Sequence, residues 1–193
     1  MFARTERLLL RPGWAEDAPA LAKAIGEQAI VRNLATAPWP YALDHARAFL
    51  ATERGADEAS FLIFRRTMGA PQLIGGAGFG RMPGTNEVEM GYWIARPYWG
   101  LGYATEAGRA IVDIARNGLR LRKLHAGHFL DNPASGRVLE KLGFRPTGLT
   151  LPRFSCGRGE AAPCRLFELD LAEEPANVAP TVRAQPMKQP MAA

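Results

Sequence analysis

The chain has 193 residues, with 24 Lys and Arg against 19 Asp and Glu, for a formal net charge of +5 at pH 7. That length corresponds to one domain with room for a tail. With 47% hydrophobic and 22% charged residues the composition is ordinary and globular, which excludes collagen-like, coiled-coil and wholly disordered classes.

In chain order, Arg7-Leu8-Leu9-Leu10-Arg11 reads as a first strand, stopped by Pro12-Gly13. Ala18, Leu21, Ala22 and Ile25 then recur at helical spacing, predicting a helix from Ala15 to about Gln28. Asp44 is the expected N-cap of a second helix ending near Gly55. The loop between them, Ala35 to Tyr41, carries Trp39 and Tyr41, either to line a substrate pocket or to cover the core. Ser60–Arg65 and Gln72–Phe79 are strand-like, joined through Gly69-Ala70-Pro71. The glycines from Gly76 to Gly80 lack GxGxxG spacing and point to close backbone approach or a bulge instead.

Glu87–Ile94 alternates cleanly: Val88, Met90, Tyr92 and Ile94 share one face, Glu87, Glu89, Gly91 and Trp93 the other. A helix is predicted from Ala104 to about Asn117, with Gly118 as its C-terminal cap, and Arg122–Leu130 is the next strand. Pro133–Leu142 is a short helix followed by Gly143. Phe144–Thr150 and Arg165–Leu171 are expected to pair, with Cys156-Gly157-Arg158-Gly159 in their connection. The segment 173–193, with Pro175, Pro180, Pro186 and Pro190 and few large apolar side chains, is expected to be a disordered tail beyond a domain at 1–172. The fold class is α+β with mixed strand directions.

The opening residues are too charged for a secretory leader, and no run approaches the ~18 apolar residues of a membrane span, so cytoplasm is the expected compartment and no membrane partner is expected. Cys156 and Cys164 have no CxxC or His-rich neighbour; no metal is expected, and they are read as two idle thiols, a disulfide between them being the alternative. Basic residues are scattered and not interleaved with aromatics, which argues against a nucleic-acid partner. A polyanionic small molecule fits the charge as well.

Two segments carry chemistry. In Trp99-Gly100-Leu101-Gly102-Tyr103-Ala104-Thr105-Glu106, two glycines at a strand-to-helix turn let several backbone N–H groups converge, and the helix N-terminus adds about half a positive charge. That is a pyrophosphate receptor without a lysine; a tight turn holding nothing is the other reading. In Asn132-Pro133-Ala134-Ser135, Asn132 is an N-cap and Pro133 suits the first helical position, which leaves Ser135 unexplained.

With these residues the chain resembles the GNAT superfamily of N-acetyltransferases, in its RimJ/RimL-like branch. The likeness rests on four stretches in order: Thr5–Arg11, Glu89–Ile94, Trp99–Ala107, and Asn132–Ser135 continuing through Leu139 to Phe144. It implies a mixed, mostly antiparallel sheet flanked by helices and splayed to admit acetyl-CoA as cosubstrate. It further implies that Gly100, Leu101, Gly102, Tyr103, Ala104 and Thr105 hold the CoA pyrophosphate by backbone amides. The strand containing Tyr92, Trp93 and Ile94 would meet the pantetheine arm, Asn132 would bond it, and Ser135 would sit near the thioester sulfur. Pro97 stands where the family often has Gln or Arg; since amides do the binding, little is expected to change.

Acetyl transfer to an amine needs a base for the ammonium and a donor for the departing thiolate. Glu89, on the face away from the apolar row, is the first candidate base, Glu87 the second, and His125 and His128 further alternatives. Ser135 is the candidate donor, and a backbone N–H between Met90 and Tyr92 would polarise the carbonyl. The acceptor is a primary amine, on a protein N-terminus or a small molecule. The competing reading is a CoA-binding sensor or scaffold without turnover. A homodimer is an expectation from the family alone.

Overall fold

The computed structural model describes residues 1–55, 58–82 and 84–172; the tail expected at 173–193 lies outside the described residues. Its strands are β1 (Ala3–Arg4), β2 (Leu8–Arg11), β3 (Ala59–Arg65), β4 (Gln72–Arg81), β5 (Val88–Ile94), β6 (Lys123–Phe129), β7 (Arg145–Ser155) and β8 (Glu160–Asp170). They form one sheet in the order β1-β2-β3-β4-β5-β6-β8-β7. The β5–β6 pair is parallel and the other pairs are antiparallel, the mixed, mostly antiparallel arrangement expected.

Both faces of the sheet are covered, and β3 shows why its centre is apolar at every position. Phe61 and Ile63 face α4 (Tyr103–Asp113) and α5 (Pro133–Lys141) in a core with Leu8, Leu10, Val88, Met90 and Ile111. Leu62 and Phe64 face the other way, onto α1 (Ala18–Ile25), α2 (Gln28–Val31) and α3 (Leu43–Ala51), through Leu21, Ile25, Val31 and Ala46. A strand buried on two sides loses the alternation that marks a one-sided strand. Each large side chain buried here contributes roughly 1.5–3 kcal/mol.

The glycines of β4 admit close approach, as their spacing suggested. A Cβ on Gly78 would lie 2.1 Å from the Ala59 carbonyl oxygen. The register of β4 against β3 also slips beside Ile63, leaving Ile74 as the extra residue.

Several boundaries differ from expectation. The helix expected at Ala15–Gln28 is a 3-10 turn (Ala15–Asp17) followed by α1 and α2. Asp17 accepts from the Trp14 amide at 2.8 Å and from both Arg11 Nη atoms, which fixes a tight turn there, and Gly26 interrupts the helical run. Asp44 is no N-cap: Ala42 precedes α3, and Asp44 sits in its first turn, bonded to Arg47 at 2.9 Å. The α3 helix also ends at Ala51, before Gly55. Beyond α4 the chain continues through a π turn (Ile114–Gly118), in which the Leu119 amide donates to the Ile114 carbonyl at 3.0 Å. Gly118 therefore does not take the left-handed cap; Arg120 does, at φ +53°. Gly143, at φ +91°, follows α5 as expected. The final hairpin is longer than predicted because β7 is an edge strand, exposed along most of its length and carrying Pro146 and Pro152.

Candidate functional site

The parallel pair opens the sheet. β5 and β6 are in register at a single place, Glu89 opposite His125, and from there towards their C-terminal ends they part. α4 begins after β5 and α5 after β6, so both helix N-termini flank the mouth. Crevices at the carboxyl ends of parallel strands are where open sheets bind ligands.

The turn into α4 is shaped for an anion. Gly100 and Gly102 have φ of +76° and +82°, a conformation that disfavours any side chain. Gly102 is the N-cap residue, and no side chain caps the helix. A Ser or Asp there would occupy the amides of the first turn; here, among the described residues, the amides of 100–105 find no main-chain acceptor outside the helix. Open space surrounds Gly100, whose Cβ would meet nothing within 4 Å. The Trp99 indole donates to the Ile94 carbonyl at 2.6 Å and fixes the approach to the turn. By contrast α5 is capped conventionally: Asn132 Oδ1 accepts from the Ser135 amide, at 3.4 Å.

The α4 turn is also braced from a distance. Arg7 Nη1 donates to the Leu101 carbonyl at 3.0 Å, its Nε bonds Glu106 at 2.7 Å, and its guanidinium lies 4.4 Å from the Tyr103 ring centroid. Glu106 also accepts from the Thr5 hydroxyl and the Arg7 amide. Burial alone would raise the Glu106 pKa, yet these donors together hold it below the ordinary carboxylate value.

Inside the mouth, the Tyr92 hydroxyl donates to the Ser135 carbonyl at 3.0 Å and lies 2.8 Å from Ser135 Oγ. Burial pushes the Tyr92 pKa up to about 12, partly opposed by the Ser135 bond, so its proton is retained across the physiological range. The unfolded chain releases this proton near pH 10, the folded chain only near 12, so stability falls as pH rises through that window. Tyr92→Phe removes this loss. In urea titrations the stability advantage of the natural protein over the variant is therefore expected to be smaller at pH 11 than at pH 8.

The opposite face of β5 is charged. Glu89 is ion-paired with Arg153 of β7, whose Nη2 lies 3.8 Å from Met82 Sδ. His125 Nε2 is 3.9 Å from Glu87. His128 points the other way: it is buried beneath α5, with Nδ1 2.9 Å from the Phe129 carbonyl and its ring against Gly136 and Phe167. Trp93 lies against Gly76, while Ile94 is in the core. Cys156 and Cys164 are both free thiols. Cys164, far from the glycine turn in sequence, packs against Gly127 of β6, and burial raises its pKa.

The structure thus brings Tyr92, Asn132, Ser135 and residues 100–105 to one mouth, sets Glu89 on the far side of the same strand, and removes His128 from that side. Local sequence patterns did not disclose the partners Arg153, Arg7 and Thr5. The long-range contacts of the β7–β8 turn were equally hidden. Ser155 Oγ donates to the Leu34 carbonyl at 2.7 Å, and Arg158 grips Asp131 through two bonds of 2.9 and 2.8 Å, next to Asn132. Of the aromatic loop, Tyr41 packs on the core, as one of the two expectations had it, and Trp39 stays exposed. Among the described residues no cluster suited to a metal occurs, and no helix is long and apolar enough to cross a membrane.

A sheet parted at its parallel pair, with helices starting at the mouth, is an arrangement suited to admitting a ligand between the strands. Residues 7–145 match the family model described as an acetyltransferase (GNAT) domain, and the chain belongs to that family. It is 28% identical over 171 residues to an uncharacterized N-acetyltransferase, p20, of Bacillus licheniformis, covering 86% of this chain and 93% of the relative. A GNAT-family acetyltransferase from Bacillus anthracis superposes with a TM-score of 0.75 at 24% identity, over 90% of this chain and all of that one. RimL, described as a ribosomal L7/L12 alpha-N-protein acetyltransferase and solved with coenzyme A, superposes with a TM-score of 0.72 at 16% identity, over 88% and 98%.

Proposed function

We propose that the protein transfers an acetyl group from acetyl-CoA to a primary amine by direct attack in a ternary complex. The observation that carries this reading is the uncapped N-terminus of α4 at the open end of β5 and β6. The amides of Gly100, Leu101, Gly102, Tyr103, Ala104 and Thr105 fit a pyrophosphate, and Asn132 with the free edge of β5 (Tyr92, Trp93, Ile94) fits the arm beyond it. When bound, acetyl-CoA supplies an activated thioester carbonyl. The protein supplies the proton chemistry, and it does so from two sides of one strand. Glu89 takes the proton of the incoming ammonium on one face. On the other, Ser135 presents its hydroxyl, backed by the Tyr92 hydroxyl 2.8 Å away, to the departing sulfur. The amine adds to the thioester carbonyl, and the C–S bond breaks as the tetrahedral intermediate collapses, its sulfur taking a proton or hydrogen bond from Ser135.

Acetyl-CoA at ~100 times its dissociation constant is expected to stabilise the fold by about 2.7 kcal/mol, read as a thermal shift. No shift at millimolar acetyl-CoA removes the cofactor reading. Mass-spectrometric detection of acetylated product across N-terminal peptides and small amines then tests turnover and identifies the acceptor. RimL's described substrate favours including protein N-termini in that panel. One observation supports the alternative of a CoA-binding module without turnover: the Arg153 guanidinium is bonded to the candidate base. Binding without product in any arm of the panel would establish that alternative.

A further inference from the structure

The braced turn raises an electrostatic question. Glu106 lies in the first turn of the helix whose N-terminus faces the mouth. A carboxylate there favours the empty helix, but its full negative charge outweighs the roughly half positive charge at the helix end and opposes an incoming pyrophosphate. Its oxygens are nonetheless fully engaged: Oε1 takes the Thr5 hydroxyl and the Arg7 amide, and Oε2 takes Arg7 Nε at 2.7 Å. Arg7 is the one cation in this set, and it comes from the turn between β1 and β2, outside the mouth.

We infer that Arg7 is a positioning residue for the anionic cosubstrate: it neutralises Glu106 so that the end of α4 can receive a pyrophosphate. This inference rests on the acetyl-CoA reading above. Arg7 acts here through Glu106, although its Nη2 lies 3.5 Å from the Cβ position of Gly102; a direct phosphate ligand would leave the Arg7→Gln/Glu106→Gln double variant as weak as the single one. Its Nε and Nη1 are committed to Glu106 and to the Leu101 carbonyl, and the guanidinium lies 4.4 Å from the Tyr103 ring centroid. The Nη1 bond also reaches the peptide between the two glycines, but the larger consequence of Arg7 is the neutralised carboxylate. Because the pair is partly exposed, with Arg7 43% and Glu106 17% accessible, added salt weakens it.

Calorimetric binding of CoA to the full chain separates these roles without recourse to turnover. Arg7→Gln leaves the carboxylate uncompensated and is expected to weaken CoA about 10-fold, the usual scale for one charge-assisted contact. The double variant Arg7→Gln/Glu106→Gln removes the burden as well and is expected to return to within about 3-fold of the natural protein. Glu106→Gln alone is expected to bind CoA as well or better, and Arg7→Lys, which keeps the charge but loses the Leu101 bond and the Tyr103 contact, to fall between the natural protein and Arg7→Gln. In turnover, Arg7→Gln raises the KM for acetyl-CoA while kcat at saturation is unchanged. If Arg7→Gln binds CoA normally, if the double variant is as weak as the single, or if Glu106→Gln itself loses 10-fold, the inference is overturned. The Glu106→Gln arm decides the matter even where Arg7→Gln does not fold. Failure of the natural protein to bind CoA at all is a different result, and it overturns the cofactor reading itself.

Discussion

Glu89→Gln is expected to lower kcat about 100-fold at pH 7, with the KM for acetyl-CoA little changed. An alkylammonium with a pKa near 10 is almost wholly protonated at pH 7, so transfer depends on a group that removes the proton. At pH 9 far more free amine is present and the deficit should shrink below about 10-fold. The amide keeps the size of the carboxylate and one acceptor oxygen, so Arg153 retains a partner and the β5–β7 contact survives. Measured pH profiles of kcat for both proteins check this directly. A loss that is equal at the two pH values points instead to Glu87 or His125, which face each other at 3.9 Å one step further along the same side. An acceptor presenting a protein α-amine, with its lower pKa, should show the smaller deficit of the two amine classes.

The second large effect belongs to the glycine turn. Gly102→Val forces a β-branched residue to φ +82°, at about 2 kcal/mol, and the turn is expected to rearrange rather than hold that strain. Converted to affinity, this is a loss of about 30-fold in CoA binding, by calorimetry. The added side chain also approaches Arg7, whose Nη2 lies 3.5 Å from the Cβ position, so the brace is disturbed with the turn. Gly148→Val is the matching control. Gly148 has φ +83° and open space around it, but it sits on edge strand β7. It should show the same backbone penalty in unfolding titrations and leave CoA affinity unaltered.

Much of this site could be read from local pattern. The alternation of Val88, Met90 and Ile94 assigned Glu89 to the face away from the core, and the structure has that arrangement. Asn132, Pro133 and Gly143 marked both ends of α5, because caps are short-range devices written in adjacent residues. What local pattern omits is partnership across the fold. Arg153 meets Glu89 from 64 residues away, and Arg7 meets Glu106 from 99. Neither pairing leaves a periodic trace, since a single polar contact imposes no repeat. The underestimated length of β7 has a related cause. An edge strand exposed on both sides is free of the hydrophobic alternation by which strands are recognised, and its two prolines argue against a strand unless its edge position is known. The first helix was misread for the opposite reason: its apolar spacing continues across Gly26 although the backbone does not.

Tyr92 and Glu89 belong to the same strand, yet their side chains emerge on opposite sides of a partition one backbone thick. On the proposed reading the two reactants therefore never share a doorway. On that reading acetyl-CoA would be admitted beside α4 and α5, and the amine would meet Glu89 from the other face of the sheet, beside Arg153. The acetylated product would then be free to depart while the spent carrier is still seated.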